Sequence, residues 1–151
     1  MNECIFCKIV SGDLPSHQIW EDSNHLAFLT IFPNTEGVTV VIPKNHYPSY
    51  VFDLPDEALK SLMVATKIVA KLLDSKLKDV GRTALVFEGF GVDHVHAKLY
   101  PMHGTDIPEW KPIESTIDKY FEKYEGYISS HDYKREDDDK LAALAAKIRD
   151  K

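Results

Sequence analysis

Two closely spaced histidines make one short segment the most chemically capable part of this chain. His94 and His96 are two residues apart, and Lys98 and Tyr100 continue the alternation. Because alternate residues of a β-strand point to the same face, a strand over 92–100 would present these four polar side chains together. The intervening side chains would face the core: Val95, Ala97 and Leu99. Pro101 and Gly104 follow them and would end the strand.

Imidazole chemistry follows from this arrangement, because histidine is the only side chain whose ordinary pKa lies near neutrality. Two imidazoles on one face can act as nucleophile or acid–base catalyst, or they can bind a metal. The motif by itself leaves open that the pair are two surface histidines. The other histidines are expected at the surface or in turns, with His103 of interest because it lies just past the strand: His17, His25, His103 and His131.

Both cysteines of the chain lie in one CxxC motif near the N-terminus. Cys4 and Cys7 have the spacing of a metal half-site or of a redox pair. A redox motif of the thioredoxin type should follow a strand, and no strand is predicted before Cys4, so the metal half-site is favoured. Two cysteines cannot complete a tetrahedral site, and two further ligands must come from elsewhere in the chain.

Length and composition predict one ordinary globular domain over residues 1–151. The chain is 44% hydrophobic and 28% charged, and its net charge is −6. An acidic balance argues against a broad nucleic-acid surface, but it allows a small phosphate-bearing ligand at one local site. We find no apolar run long enough for a membrane span and no signal-peptide pattern, and we therefore expect a cytoplasmic protein with no membrane partner.

The hydrophobic pattern predicts a mostly antiparallel sheet with helices, which is an α+β fold. A short helix over 4–10 precedes the first strands, and the predicted strands are 18–21, 26–30, 38–43, 84–87 and 92–100. A long helix begins at Pro55, and its apolar residues recur at helical spacing: Leu59, Leu62, Met63, Val69, Leu73 and Leu77. The C-terminal part is predicted as a helix over 113–124, an extended piece over 126–128 and a helix over 137–151 with an apolar stripe of Leu141, Leu144 and Ile148.

Three motifs occur in an order and at a spacing that resemble a known family. They are Cys4-x-x-Cys7, the strand end Val41-Ile42-Pro43-Lys44-Asn45-His46, and Gly89-x-x-Val92-x-His94-x-His96. Over about residues 4–104 the chain resembles the histidine triad (HIT) superfamily, in particular its bacterial-type hydrolases with a CxxC zinc half-site. The resemblance implies a HIT-like fold with a five-stranded antiparallel sheet, a homodimer, and binding of purine nucleotides or their conjugates. Residues 105–151 would then be a C-terminal helical extension.

The resemblance also implies roles for individual residues. His96 takes the position of the nucleophilic middle histidine, which attacks an α-phosphorus and forms a nucleotidyl-histidine intermediate that water resolves. The family's structural zinc site maps onto Cys4, Cys7, His46 and His94. Phe28 and Ile31 match the apolar positions that sandwich the base, although ordinary core packing would explain them equally well.

Several positions depart from the family pattern. Lys98 stands at the third histidine of the triad, Thr30 at the aspartate that holds the ribose hydroxyls, and Phe90 at the glutamine after Gly89. The Gly-His pair that usually begins the long strand is Gly37-Val38. We retain Thr30, Phe90, His96 and Lys98 as candidate nucleotide contacts, with His96 and Lys98 as the catalytic pair. A lysine keeps a positive charge at that position but differs from histidine in reach and in pKa.

These departures leave three functional hypotheses open. The favoured one is a nucleotide hydrolase or nucleotidyl transferase that cleaves a phosphoramidate or dinucleoside polyphosphate at the α-phosphate, with Lys98 assisting. The alternative is a catalytically weak or inactive nucleotide-binding module. The third is a zinc-stabilised interaction protein whose C-terminal helices recruit a partner, although docking of those helices on the protein's own dimer explains their apolar stripes more simply.

Overall fold

The computed structural model describes residues 3–118, 120–126 and 134–150. A single sheet has the strand order β1-β2-β3-β5-β4, and every neighbouring pair is antiparallel. This confirms the predicted α+β fold with a five-stranded antiparallel sheet. In chain order the elements are α1 Ile5–Ser11, β1 His17–Glu21, β2 His25–Leu29, β3 Thr39–Pro43, a 3₁₀ turn Val51–Asp53, α2 Asp56–Lys76, β4 Val80–Val86, β5 Ala97–His103 and α3 Asp138–Arg149.

The hairpin between β1 and β2 turns at residues 22–24. The carboxylate of Asp22 accepts hydrogen bonds from the backbone N–H groups of Asn24 and His25, at 2.8 and 2.6 Å, as expected for an aspartate that begins a tight turn. The imidazole of His25 also contacts Asp22, at 3.0 Å, and the Ser61 hydroxyl, at 3.3 Å. His25 is buried, so its expected surface position is wrong. The reason is that α2 covers this end of β2.

The two faces of the sheet pack against different helices. One face forms the main core with α2 and α3, and the other forms a smaller core beneath α1. Alternation along the strands separates the two sets, because neighbouring side chains point to opposite faces. The main core includes Ala27, Leu29, Val41, Val95, Ala97 and Leu99, whereas the smaller core contains Phe6, Leu26, Phe28, Val40 and Ile42.

Helix α2 presents most of its predicted stripe to the main core. Leu62, Val69, Leu73 and Leu77 are buried, and Leu59 is partly buried. Met63 is 41% exposed, so its predicted burial is wrong. It lies at the border of the stripe, where the helix turns away from the sheet. None of the helices in the described ranges is long and apolar enough to cross a membrane.

The histidine strand begins and ends later than predicted. Strand β5 is Ala97–His103 rather than 92–100, so His94 and His96 lie in the segment just before it. The predicted inward set is confirmed, since Val95, Ala97 and Leu99 are all buried. Pro101 does not end the strand. The pairing of β5 with β3 stops at Leu99, and a strand with one neighbour tolerates a proline because its missing N–H needs no second partner.

The C-terminal part differs from the prediction in its first half. The described residues of 113–124 form no helix, and the predicted extended piece at 126–128 lies outside the described residues except for Gly126. The apolar residues of 113–124 have helical spacing, but Ile113, Ile117 and Tyr120 are largely exposed. A short helix without a surface to pack on is marginal in water, which explains the difference.

Helix α3 confirms the prediction for the second half. The Asp137 side chain caps its N-terminus by accepting a hydrogen bond from the backbone N–H of Lys140, at 3.1 Å. Leu141 and Ile148 are buried in the main core against β1 and α2. The apolar stripe of α3 is therefore occupied within this chain and does not form a free recruiting surface.

His103 ties the end of β5 to two loops. Its Nδ1 lies 2.7 Å from the Asp79 carboxylate, and its Nε2 lies 2.8 Å from the Glu36 carbonyl oxygen. An imidazole donates from both nitrogens only when it is protonated. Burial would lower the pKa of His103, but the Glu36 carbonyl and the Asp79 carboxylate together raise it above its ordinary value. Lys78, Asp106 and Lys147 line the same recess.

We expect His103→Ala to lower the melting temperature by a few degrees near pH 5.5 and by clearly less near pH 8.5. The pKa of His103 is raised in the folded protein. Its contribution to the free energy of unfolding is therefore complete below the unfolded pKa of 6.5, and it is lost as pH rises through the folded pKa. The hydrogen bond from His103 lowers the pKa of Asp79. The contribution of Asp79 to the free energy of unfolding is therefore present above its unfolded pKa of 3.8, and it is lost as pH falls through its folded pKa. Calorimetry at both pH values, with Asp79→Asn as the matched variant, measures the effect. An equal loss at both pH values would contradict it.

Candidate metal centre and adjoining cavity

Four side chains from distant parts of the chain bring their ligand atoms together. Cys4 Sγ lies 3.4 Å from His94 Nδ1, and Cys7 Sγ lies 3.4 Å from His46 Nδ1 and 3.6 Å from His94 Nδ1. All four ligand atoms are within 4.8 Å of one another. The structure thus brings together the complete set of metal ligands predicted from the sequence.

Different elements position these ligands. Cys4 is the N-cap of α1, and its sulfur accepts a hydrogen bond from the backbone N–H of Cys7, at 3.4 Å. The first turn of the helix therefore points both sulfurs the same way. His46 follows the end of β3, and His94 precedes β5. Because β3 and β5 are neighbours in the sheet, the two imidazoles meet, with ring centroids 5.0 Å apart.

His94 is held in one orientation from both sides of its ring. It is fully buried, and its Nε2–H donates to the Pro43 carbonyl oxygen at 2.9 Å. That bond fixes the tautomer and leaves the Nδ1 lone pair directed at the cysteines, as is typical of metal-binding histidines. Burial lowers the pKa of His94 below its ordinary value, which favours the neutral form that can act as a ligand.

The geometry of the four atoms fits a tetrahedral metal ion. With Zn–S near 2.3 Å and Zn–N near 2.05 Å, sulfur and nitrogen ligands of a tetrahedron lie about 3.5 Å apart. The observed sulfur–nitrogen distances of 3.4 and 3.6 Å agree with this value. Burial and the neighbouring Cys4 raise the pKa of the Cys7 thiol, so a bound cation would have to displace the thiol protons. The set could therefore hold a metal ion, and the ligand types favour zinc.

His96 has a different environment from His94, although it is only two residues away. Its Nδ1–H donates to the His94 carbonyl oxygen at 2.7 Å, which leaves the lone pair on Nε2. Burial, followed by the positive charge of Lys98, lowers the pKa of His96. The Phe6 ring contacts it edge-on, with centroids 5.2 Å apart. A neutral, oriented imidazole of this kind is suited to nucleophilic attack.

The segment that carries both histidines is attached to the loop after β3. The Asp93 carboxylate accepts a hydrogen bond from the Ser49 N–H at 2.8 Å, and the Val95 N–H donates to the Tyr47 carbonyl at 2.9 Å. Gly89 adopts a φ of +75°, and a Cβ there would lie 2.9 Å from the Ser49 carbonyl oxygen. A side chain at Gly89 would push the segment away from this loop.

A cavity of about 750 Å³ opens beside His96 on the α1 face of the sheet. Five of the six predicted nucleotide contacts line it: Phe28, Thr30, Ile31, His96 and Lys98. Lys98 pairs with Val40, and Val40 with Phe28, so these side chains form a row across one face of the sheet. Apolar residues of α1 and the following loop complete the walls: Ile5, Phe6, Ile9 and Leu14.

Phe90 is the predicted contact that does not line this cavity. Its side chain is 82% exposed, and its ring packs against Tyr124, with centroids 5.3 Å apart. Gly91 and Val92, the residues that follow it, do line the cavity. A nucleotide role for Phe90 stays a prediction, and any such role would be at the outer edge of the opening.

Three ionisable residues of the cavity are not predicted from the sequence as part of the site. His17 was expected at the surface, and Arg135 and Asp138 were read only as part of the C-terminal extension. All three line the cavity. Arg135 and Asp138 lie more than 30 residues after β5, the last strand of the cavity floor, and no motif in the sequence connects them to the site.

Comparison with known proteins identifies similar chains. A family model described as the HIT domain matches residues 11–104. The chain is 37% identical over 105 residues to the protein hit of Bacillus subtilis, covering 67% of this chain and 72% of that protein. It is 35% identical over 119 residues to the adenosine 5′-monophosphoramidase of Saccharomyces cerevisiae, covering 77% of this chain and 75% of that enzyme. The crystal structure of a Zn-bound histidine triad family protein from Mycobacterium smegmatis has a TM-score of 0.69 and 25% identity, covering 98% of this chain and 91% of that chain.

We expect the protein to bind about one Zn²⁺ per chain, and we expect the double variant Cys4→Ser, Cys7→Ser to bind none. Loss of the ion would also lower the melting temperature, because the ligands attach α1 to the sheet. Native mass spectrometry counts the metal, and thermal melting before and after chelation reports the stability.

The matched control is re-addition of one equivalent of Zn²⁺ or of Mg²⁺ to the chelated protein. Zn²⁺ should restore the melting temperature of the wild type but not of the double variant, and Mg²⁺ should restore neither. A wild type that melts at the same temperature with and without Zn²⁺ would contradict a structural metal at this site.

Proposed function

The chain belongs to the HIT family, and we propose that it hydrolyses a nucleoside phosphate conjugate at the α-phosphate with His96 as the nucleophile. The observation that carries this proposal is the environment of His96. Its Nδ1–H donates to the His94 carbonyl, and its lowered pKa favours the neutral imidazole. The ring lines a cavity that is apolar along most of its wall. The similarity to an adenosine 5′-monophosphoramidase supports a hydrolase that acts on nucleotides.

The reaction that we propose has two displacements. The His96 Nε2 lone pair attacks the α-phosphorus, a P–N bond forms, and the bond from phosphorus to the leaving group breaks. The leaving group departs with that electron pair and takes up a proton. Water then attacks the same phosphorus, the P–N bond breaks, and free His96 and a nucleoside monophosphate result. The covalent route divides one difficult displacement into two easier ones.

Lys98 is the second residue that we assign to this reaction. It lines the same cavity as His96, which lies two residues before it in the chain. An ammonium group stabilises negative charge on the phosphoryl oxygens and on the departing atom. It also disfavours protonation of the neighbouring imidazole. A lysine at this position can therefore supply part of the charge stabilisation that a third histidine would give.

The apolar part of the cavity suits a nucleoside. Phe28 and Ile31 offer apolar contacts for a base. Thr30 lies between them in the chain and lines the same cavity, and we propose that its hydroxyl contacts the ribose. The Thr30 hydroxyl oxygen accepts a hydrogen bond from the Phe32 N–H at 3.2 Å, which leaves its own O–H as a donor. Phosphoramidates and dinucleoside polyphosphates both present an α-phosphorus of the required kind to His96.

A second candidate function is nucleotide binding with weak or no catalysis. The observation that favours it is Lys98 itself, because a lysine side chain has a different reach from an imidazole and donates from a point charge. Both candidates use the same cavity, and they differ only in turnover. Recruitment of a partner through α3 is not favoured, because the buried face of α3 packs on β1 and α2.

We also propose that the protein forms a homodimer and that its metal is a structural zinc. Strand β4 is at the edge of the sheet, and α2, which contacts β4, carries three exposed apolar side chains: Met63, Val64 and Ile68. Pairing of two β4 edges would satisfy backbone groups that an edge strand leaves open. The native mass spectrum that counts the metal also counts the chains, and a purely monomeric spectrum would exclude the dimer. Reduced cysteine ligands suit the cytoplasm, where we propose that the protein acts.

We expect His96→Ala to lower kcat on adenosine 5′-phosphoramidate by at least about 10³-fold, because the variant lacks the attacking nitrogen. Binding of adenosine monophosphate should remain within about tenfold of the wild type, and the metal content should not change. Steady-state kinetics and titration calorimetry measure the two quantities. Intact-mass spectrometry after mixing should show a nucleotidyl adduct on the wild type only. Turnover by His96→Ala at the wild-type rate would exclude His96 as the nucleophile.

We expect Lys98→Ala to lower kcat by about 10²-fold, which is the usual effect of removing one group that stabilises transition-state charge. Lys98→His should retain more activity than Lys98→Ala on the same substrate or exceed the wild type. Kinetics of the three proteins measured together make the comparison. If all three have equal rates, Lys98 has no part in the reaction. If the wild type binds nucleotide without turnover, the binding module is the correct function.

A further inference from the structure

Three charged or ionisable side chains form a connected group at the wall of the cavity. His17 Nε2 lies 3.0 Å from Asp138 Oδ1, and the Arg135 guanidinium lies 3.1 and 3.3 Å from the two carboxylate oxygens of Asp138. We refer to His17, Arg135 and Asp138 as the ionic trio. All three residues line the cavity that contains His96.

The ionic trio is held by the fold and does not lie on a loose tail. The Glu136 N–H donates to the Ile31 carbonyl oxygen at 2.9 Å, which joins the segment before α3 to the cavity wall. The Arg149 guanidinium bonds to the Gln18 carbonyl oxygen on β1. Between these two attachments, the apolar face of α3 packs in the main core. The bonds from His17 and Arg135 lower the pKa of Asp138, so its carboxyl group is ionised at neutral pH.

The ionic trio lies at the opposite end of the cavity from His96 and Lys98. Lys98 on β5 pairs with Val40 on β3. Val40 pairs with Phe28 on β2, and Phe28 pairs with Gln18 on β1. His17 is the residue before Gln18 and pairs with Leu29, and both His17 and Leu29 line the cavity. Three strand spacings separate β5 from β1 in the sheet order, a distance of about 14 Å. This is comparable to the length of an extended nucleotide from its phosphorus to the far edge of a purine.

A nucleotide whose α-phosphorus is at His96 would therefore direct its base toward the ionic trio. The edge of guanine carries two adjacent donors, on N1 and on the exocyclic N2, and acceptors at O6 and N7. Adenine has an acceptor at N1 and no exocyclic group at C2. A carboxylate has only acceptors, and a guanidinium has only donors. Arg135 can thus donate to O6 or N7, and Asp138 can accept from N1 and N2, whereas the N1 lone pair of adenine would face the carboxylate unfavourably.

We infer that the ionic trio is a base-recognition site that makes the enzyme prefer guanosine conjugates over adenosine conjugates. Its members retain capacity for a ligand, because a guanidinium has five N–H donors and a carboxylate has about four acceptor positions. Both side chains are about half exposed, with Arg135 at 51% and Asp138 at 59%, so a base can reach them from the cavity. The inference rests on the proposed nucleotide hydrolysis and adds the identity of the base.

The test compares guanosine 5′-phosphoramidate with adenosine 5′-phosphoramidate as substrates of the full chain. We expect kcat/KM of the wild type to be at least about tenfold higher for guanosine, as is usual for one good pair of base contacts. Asp138→Asn should reduce or invert this ratio, because an amide also suits adenine. Arg135→Gln should reduce it toward one. The ratio is informative because general damage to the fold would lower both rates together.

Asp139→Asn is the matched control variant. It removes the same charge from the same turn of α3, but Asp139 does not line the cavity. The base preference of this variant should equal that of the wild type. If Asp139→Asn changes the ratio as much as Asp138→Asn does, the preference comes from the overall charge of the helix start, and the inference is wrong.

Direct binding to the His96→Ala variant separates this inference from the proposed hydrolysis. Calorimetry with guanosine and adenosine monophosphates should show the same preference, and Asp138→Asn in that background should remove it. If neither phosphoramidate is hydrolysed by the wild type but the binding preference is present, the hydrolysis fails and the base recognition stands. Equal binding of the two nucleotides, or no binding of either, would overturn the base recognition.

Discussion

The two ring nitrogens of His94 form the contact on which the rest of the site depends. Nε2–H donates to the Pro43 carbonyl at the end of β3, and Nδ1 faces Cys4 and Cys7 at the start of α1. The backbone carbonyl of His94 then orients His96. A single buried residue thus links the sheet, the N-terminal helix and the proposed nucleophile, and a bound metal would make that link rigid.

This link positions the N-terminal helix, and the helix in turn forms one wall of the cavity. Phe6 is in α1 between the two cysteines, and its ring contacts His94, His96 and Phe28 at centroid distances of 5.8, 5.2 and 5.5 Å. The same ring contributes to the burial that keeps the His96 imidazole neutral. A metal ion bound at this centre would therefore support the proposed reaction indirectly, by placing apolar surface beside the proposed nucleophile, and no step of the proposed chemistry needs the ion itself.

Local sequence patterns predicted most elements, and their errors have physical causes. The β-branched run of β3 and the apolar stripe of α2, except for Met63, were predicted correctly, because burial of one face imposes a period on the sequence. The region 113–124 has the same helical period but no surface to cover, as the exposure of Ile113 and Ile117 shows. Strand β5 begins at Ala97 and continues through Pro101 because its hydrogen-bonding partners, and not its own residues, set its ends.

By itself, the sequence determined which residues are the candidate metal ligands and the proposed nucleophile, because those residues occur in short motifs that resemble a known family, and the structure brings the four candidate ligands together. The tertiary structure alone decided that Phe90 faces away from the cavity and that Arg135 and Asp138 face into it. These two residues reach the site because Leu141 and Ile148 dock α3 against the main core. Apolar burial has no direction and leaves no motif, and so the sequence does not show which polar side chains it will bring together.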